Sequence, residues 1–128
     1  MKLGYTIIYV KDVIATMDFY EKVFGISKKF LTENGLYGEM DTGGTTLSFQ
    51  SEGCATEHAG PVRGNDAAKD PCAFEIAFVC DDVHSAYKKA IDAGAYSHRA
   101  PEEKPWGQKV AYVRDLNGVL VELCSPVS

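Results

Sequence analysis

The chain repeats one pattern, and this repeat restricts the folds that it can adopt. Residues 5–13 align with residues 75–83 when the sequence is shifted by 70 positions. Both segments are apolar and rich in β-branched and aromatic residues, which predicts a strand. Both lead to an Asp-Val pair, at Asp12 and Asp82. An aspartate caps the start of a helix because its carboxylate accepts backbone N–H groups. The sequence therefore predicts a strand followed by a helix, twice.

Each predicted helix carries a one-sided apolar stripe. The first stripe consists of Val13, Met17, Tyr20 and Phe24, and the corresponding positions of the second are Val83, Tyr87, Ala90 and Gly94. Each helix should end at a glycine, Gly25 or Gly94, where a left-handed C-cap is expected.

Three short strands are predicted after each helix, with turns at Asn34-Gly35, Gly43-Gly44 and Asn117-Gly118. The strands cover 26–33, 36–42 and 45–51 in the first copy, and 95–99, 108–114 and 118–124 in the second. The segment 52–71 is rich in glycine, proline and small polar residues, and it should form a linker without helix or strand.

The predicted fold is α+β, with two tandem βαβββ modules whose curved mixed sheets form a ligand cavity. Residues 1–128 should make a single domain, in which module one is 1–51, the linker is 52–71 and module two is 72–128.

Charge and composition exclude several classes of function. A net charge of −5 argues against a nucleic-acid partner, which needs clustered lysine and arginine. No apolar run approaches the ~20 residues that span a bilayer. The N-terminus lacks a signal-peptide pattern, so we expect no membrane partner and a cytoplasmic location. The four cysteines lack C-x-x-C spacing, which favours buried apolar roles over zinc or redox chemistry.

Two glutamates interrupt apolar strands. Because side chains alternate across a strand, Glu75 and Glu122 should both lie on the face that points away from the helix. A solvated face accepts a glutamate readily, whereas a cavity requires it to be paired, hydrogen bonded or metal bound. The repeat favours the cavity, because Tyr5 and Ser48 occupy the matching positions of the first copy.

Several segments resemble the vicinal oxygen chelate superfamily, which includes glyoxalase I, extradiol dioxygenases, and the bleomycin- and fosfomycin-resistance proteins. The resemblance rests on 10–13, 19–25, 115–123 and Trp106-Gly107, and it covers nearly the whole chain. Leu116 stands where the family usually has proline.

The resemblance implies a metal site at the four positions of the repeat. The family usually has His or Gln at Tyr5, Glu at Ser48, His at Glu75 and Glu at Glu122, so only Glu122 matches. Tyrosine and serine are poor ligands at neutral pH because their hydroxyls stay protonated. We therefore expect no metal and no cofactor, as in the metal-free resistance proteins, which bind a ligand and leave it unchanged.

The chain is thus predicted to be a small-molecule-binding protein of the glyoxalase/bleomycin-resistance type, without a catalytic metal. The expected ligand-binding residues are Tyr5, Tyr9, Ser48, Glu75, Trp106, Tyr112 and Glu122. The ligand should be cationic or aromatic, and Arg114 is the one cation expected nearby. Trp106 is equally compatible with packing. The family resemblance and the exposed sheet edges also suggest a homodimer, which light scattering would detect.

An alternative is a lyase or isomerase of the glyoxalase type. Glu75 and Glu122 would then act as acid and base, or as weak metal ligands. Two carboxyl groups within hydrogen-bonding distance would favour a shared proton, whereas a wide gap filled by aromatic rings would favour plain binding. The three histidines, His58, His84 and His98, lie outside the family's ligand positions and should be on the surface.

Overall fold

The computed structural model describes residues 1–127, which divide into two compact units, Met1–Asn65 and a second that begins at Asp66. The first unit contains β1 (Tyr5–Val10), α1 (Val13–Phe24), β2 (Lys28–Leu31), β3 (Tyr37–Met40), β4 (Thr46–Ser51) and α2 (Glu52–Ala59). The second contains β5 (Glu75–Val79), α3 (Val83–Asp92), β6 (Tyr96–Glu103), β7 (Lys109–Arg114) and β8 (Leu120–Cys124). None of the helices in the described residues is long and apolar enough to cross a bilayer.

Each unit forms one four-stranded mixed sheet. The strand order is β1-β4-β3-β2 in the first unit and β5-β8-β7-β6 in the second. In each sheet the first and last strands of the module pair in parallel, and the remaining pairs are antiparallel. The order is the same in both, which confirms the predicted α+β fold of two tandem βαβββ modules.

The predicted helix caps are confirmed. The Asp12 carboxylate accepts the backbone N–H of Ala15 at 3.0 Å, and Asp82 accepts that of Ser85 at 3.1 Å. Helix α1 is followed by Gly25 in the left-handed conformation, with φ of 69°. Helix α3 ends one residue earlier than predicted, because Ala93 caps it in a right-handed conformation before the chain turns.

The predicted strand faces are also confirmed. On β1, Ile8 and Val10 are buried against the helix side of the sheet, whereas Tyr5 and Ile7 are exposed on the other side. In the core of the first unit, the rings of Tyr20 and Phe49 lie 4.8 Å apart between centroids. We call the side of each sheet that faces away from α1 or α3 its open face.

The prediction that 52–71 contains no helix was wrong. Helix α2 begins directly after β4, because the Ser51 hydroxyl caps it by accepting the backbone N–H of Cys54 at 3.2 Å. Ala55 is fully buried where α2 packs against β4 and β1, and this packing stabilises a helix that has little amphipathic character.

Strand β6 is longer than predicted. It continues four residues beyond the predicted end at residue 99 and passes through Pro101. A proline is tolerated there because β6 is an edge strand, where an N–H on the outer side has no partner in the sheet. The pairing with β7 is interrupted between Ser97 and Arg99, where Ser97 is opposite Val113 and Arg99 is opposite Tyr112. His98 is therefore the extra residue of a β-bulge.

The turn between β7 and β8 is held by a buried carboxylate. Asp115 is fully buried and accepts the backbone N–H groups of Asn117 at 2.8 Å and Val119 at 2.9 Å. These hydrogen bonds satisfy backbone donors that the turn would otherwise leave without an acceptor.

Arg114 joins this turn to the segment before β5. Its Nε donates to the Gly118 carbonyl at 3.0 Å, and its Nη atoms donate to the carbonyls of Ala67 and Asp66, each at 3.3 Å. Gly118 has φ of 88°, and a Cβ placed on it would lie 2.7 Å from Ala67 Cα. The turn and the loop can therefore approach each other only because residue 118 is glycine.

This close approach gives a stability prediction. Gly107 has a similar φ of 92°, but a Cβ there would meet nothing within 4 Å. Gly107→Ala should cost about 1–2 kcal/mol for the unfavourable backbone conformation alone. Gly118→Ala should cost a further ~1–3 kcal/mol because the methyl group overpacks the contact. Urea unfolding of both variants measures the difference, and equal losses of stability would show that the contact is absent.

Candidate functional site

The second sheet brings three predicted site residues onto its open face. Glu122 on β8 lies opposite Ala77 on β5 and Tyr112 on β7. Glu75 lies opposite Leu120, two residues before Glu122. Directly opposed residues share a face, and so do residues two apart on one strand. Glu75, Tyr112 and Glu122 therefore project from the same side of three neighbouring strands. We call them the carboxyl cluster.

Hydrogen bonds connect the members of the carboxyl cluster. The Tyr112 hydroxyl donates to Glu122 Oε1 at 3.0 Å. The side chains of Glu75 and Glu122 are hydrogen bonded to each other. Two carboxylates cannot both act as acceptors in one hydrogen bond, so this bond forms only while one of the two groups holds a proton. The contact between Glu75 and Glu122 is thus the arrangement that favours a proton shared by the two carboxyl groups, rather than a wide gap filled by aromatic rings.

The environment also determines which groups hold their protons. Partial burial, the hydrogen bond to Glu122 and the charge of Glu122 all raise the pKa of Glu75. Burial first, and then the hydrogen bond to Glu122, raises the pKa of Tyr112 to about 12. Burial likewise raises the pKa of the neighbouring Cys124 thiol to about 11, with Glu122 adding to the effect. Near neutral pH, Tyr112 and Cys124 are therefore uncharged.

A hollow of about 260 Å³ lies beside the carboxyl cluster. It is lined by Glu75, His98, Arg99, Tyr112 and Leu120. The sequence did not indicate Arg99, because the bulge that places residues 98 and 99 beside Tyr112 leaves no clear signal in the amino-acid pattern. His98 is exposed as predicted, as are His58 and His84.

Arg114, the cation expected near the site, lies opposite Leu120 on the same face as Glu75. Its guanidinium group is hydrogen bonded to three backbone carbonyl groups of the turn and the loop. Arg99 is the cation that lines the hollow with Glu75.

The first unit has its own polar cluster on the open face. Ser48 lies opposite Ile7 and Glu39, and it is fully buried. The Tyr37 hydroxyl donates to Glu39 Oε2 at 2.8 Å and lies 3.0 Å from Ser48 Oγ. Burial is the main cause that raises the pKa of Tyr37. Sequence analysis missed Tyr37 and Glu39, although Glu39 occupies the place on β3 that Tyr112 occupies on β7.

The remaining predicted site residues lie elsewhere. Tyr5 is exposed and Tyr9 half-buried, both on the open face of β1 in the first unit. Trp106 lies in the turn between β6 and β7, 65% exposed, and its indole N–H donates to Gln108 at 2.9 Å. It does not line the hollow.

The residues at the four repeat positions do not fit the metal that the family resemblance implies. Within residues 1–127, no group of three or more His, Cys, Asp and Glu side chains is arranged to hold a metal ion. Glu75 and Glu122 are hydrogen bonded to each other, and the remaining two positions offer only hydroxyl groups. Such a donor set suits neither zinc nor nickel nor iron, which favour imidazole or thiolate.

The repeated βαβββ sheets with polar open faces define a protein of the vicinal oxygen chelate type. The sequence model of the Glyoxalase/Bleomycin resistance protein/Dioxygenase superfamily matches residues 2–123, so the chain belongs to that superfamily.

Solved structures show the same fold. A glyoxalase-related enzyme from Fulvimarina pelagi has a TM-score of 0.84 and 19% identity, over 98% of this chain and 88% of the other. A glyoxalase/bleomycin resistance protein/dioxygenase family enzyme from Burkholderia phytofirmans PsJN has a TM-score of 0.80 and 22% identity, over 100% of both chains. TioX from Micromonospora sp. ML1 has a TM-score of 0.73 and 21% identity, over 98% of both. No functionally curated protein matches the chain in sequence.

The raised pKa of Glu75 makes stability depend on pH. Between the usual glutamate value of 4.5 and the raised value, the folded chain binds more protons at this site than the unfolded chain. Its contribution to stability is complete below that window and is lost as pH rises through it. Glu75→Gln keeps a hydrogen-bond donor for Glu122 at every pH and should flatten this decline.

The measurement is the melting temperature from about pH 4 to about pH 8. Glu103→Gln removes an exposed carboxylate outside the carboxyl cluster and serves as the control. Identical curves for the wild type and Glu75→Gln would contradict the prediction.

Proposed function

We propose that this protein binds a small molecule on the open face of its second sheet and that it does so without a metal ion. The observation that carries the proposal is the set of hydrogen bonds from Tyr112 and Glu75 to Glu122. In these bonds, the partners of the carboxyl groups are side chains of the protein rather than a metal ion. They also fix the positions of the polar groups that a ligand would meet.

The chemistry of the carboxyl cluster indicates what such a ligand offers. Glu122 is a hydrogen-bonded acceptor, and Glu75 is exposed at the edge strand β5, where it reaches solvent and the hollow. Both favour a ligand that carries an ammonium or another hydrogen-bond donor. The half-buried ring of Tyr112 adds a surface for an aromatic or cationic group.

A second candidate is acid–base catalysis by the carboxyl cluster. It is favoured by one observation, the environment of Glu75, where burial first and then the hydrogen bond to Glu122 raise the pKa of this carboxyl group above its ordinary value. A carboxyl group that keeps its proton to higher pH can protonate a carbonyl oxygen or move a proton along a substrate. The reaction would be that of a lyase or isomerase acting on a carbonyl compound.

Recovery of the ligand distinguishes the two functions. For a binding protein, NMR shows the same compound before and after prolonged incubation. For an enzyme, a product accumulates, and Glu75→Gln stops its formation while it leaves binding measurable.

Calorimetry with matched aromatic ligands tests the proposed function. Phenethylamine is cationic and 3-phenylpropionate is anionic, and the two share the same ring and a similar chain. The wild type should bind the cation more tightly. Glu75→Gln should weaken binding of the cation by about 1–3 kcal/mol, the scale of a hydrogen bond between charged groups.

The control is Glu103→Gln, which leaves the carboxyl cluster intact and should leave the affinity for phenethylamine unchanged. Tighter binding of 3-phenylpropionate by the wild type would contradict the preference for a cation. An equal loss of phenethylamine affinity in both variants would show that only the overall charge matters.

A further inference from the structure

We propose that the hollow beside the carboxyl cluster recognises an amphoteric small molecule, with Arg99 binding the carboxylate of the ligand and the carboxyl cluster binding its ammonium group. Compounds of the amino-acid type have this chemistry. The inference rests on the proposed function, because it assigns a ligand class to the same site.

The placement of the charged residues is the first observation. In the strand order of the second sheet, Glu75 belongs to one edge strand, β5, and Arg99 to the other, β6. Neighbouring strands are about 4.8 Å apart, so three spacings separate the two backbones by roughly 14 Å. Both side chains are long enough to shorten this gap, and both line the hollow. A ligand in the hollow therefore meets an acid at one end and a guanidinium at the other.

The availability of the Arg99 guanidinium is the second observation. Residue 99 is exposed, and within residues 1–127 its side chain forms no hydrogen bond or ion pair, although its charge interacts with that of Glu102 on the same strand. Arg114, two residues beyond Tyr112 on β7, uses its donors on backbone carbonyl groups instead. A guanidinium has five N–H donors in a planar fork that matches a carboxylate. Arg99 is thus the cation of this face that can bind an anion from solution.

The bulge in β6 is the third observation. An extra residue in one strand places two consecutive residues opposite one residue of the partner strand, and such bulges commonly redirect side chains next to active sites. Here His98 and Arg99 both line the hollow, opposite Tyr112. The ring nitrogens of His98 supply additional hydrogen-bonding capacity beside the guanidinium.

Charge and size favour an amphoteric ligand over a simple ion. A purely anionic ligand would be attracted by Arg99 but repelled by the negative charge of the carboxyl cluster. A purely cationic ligand would be attracted by the carboxyl cluster but repelled by Arg99. The hollow of about 260 Å³ is smaller than pockets for drug-sized molecules, which start near ~300 Å³. A molecule of the size of an amino acid fits both the volume of the hollow and the two opposite charges at its ends.

Calorimetry with three probes that share one ring tests the inference. Phenylalanine carries both charges, phenethylamine only the ammonium and 3-phenylpropionate only the carboxylate. The wild type should bind phenylalanine more tightly than either of the other two. Arg99→Gln should weaken phenylalanine binding by about tenfold to a hundredfold, the range expected for a lost charged hydrogen bond, and should leave phenethylamine binding unchanged.

Two further variants sharpen the result. Arg99→Lys keeps the charge but loses the planar fork, so the affinity for phenylalanine should lie between those of the wild type and Arg99→Gln. Arg63→Gln removes an exposed arginine of the first unit and should change nothing.

Every other outcome is decisive. If phenethylamine binds as tightly as phenylalanine and Arg99→Gln has no effect, the inference is overturned while the proposed function stands. If 3-phenylpropionate binds best, both the inference and the preference for a cation fail. If none of the three probes binds, the hollow is not a site for such ligands, and the inference and the proposed function are overturned together.

Discussion

The contact between Glu75 and Glu122, two carboxyl groups on neighbouring parallel strands, favours the protonated form of Glu75, and the chemistry of the second unit depends on that contact. The register of β5 and β8 places Glu75 and Glu122 on one face, close enough to be hydrogen bonded. Tyr112 fixes Glu122 from the other side. While Glu75 holds a proton, the pair presents both a donor and an acceptor, and once Glu75 is ionised, the pair presents two acceptors. Strand pairing thus places both carboxyl groups and the Tyr112 hydroxyl on one face of the sheet.

The two units share the same strand order but differ in the polar residues on their open faces. In the first unit a carboxylate stands on β3, at Glu39, opposite the hydroxyl of Ser48 on β4. In the second unit the arrangement is reversed, with the Tyr112 hydroxyl on β7 opposite the carboxylate of Glu122 on β8. Each sheet thus retains one acid and one hydroxyl at corresponding places. Among residues 1–127, neither open face holds a group of three or more His, Cys, Asp and Glu side chains arranged to bind a metal ion.

The fold could be predicted because local signals and the global pattern agree. Asp12 and Asp82 cap helices, and alternation along β1 separates the buried face from the open one. The two glutamates of the site were found in the same way, because polar residues in apolar strands are conspicuous. The features that were missed depend on tertiary contacts. Helix α2 depends on its cap at Ser51 and on the packing of Ala55. The bulge at His98 has no sequence signature. Only the folded turn shows that Arg114 is hydrogen bonded to backbone carbonyl groups, whereas Arg99 is available to a ligand.

We propose that Glu75 and Glu122 are partners of each other rather than ligands of a metal ion. Elemental analysis of protein purified without chelators, performed on the wild type and on Glu122→Gln, tests this proposal. Both proteins should contain far less than one zinc, nickel or iron per chain. A wild type with close to one such ion per chain, lost in Glu122→Gln, would contradict it.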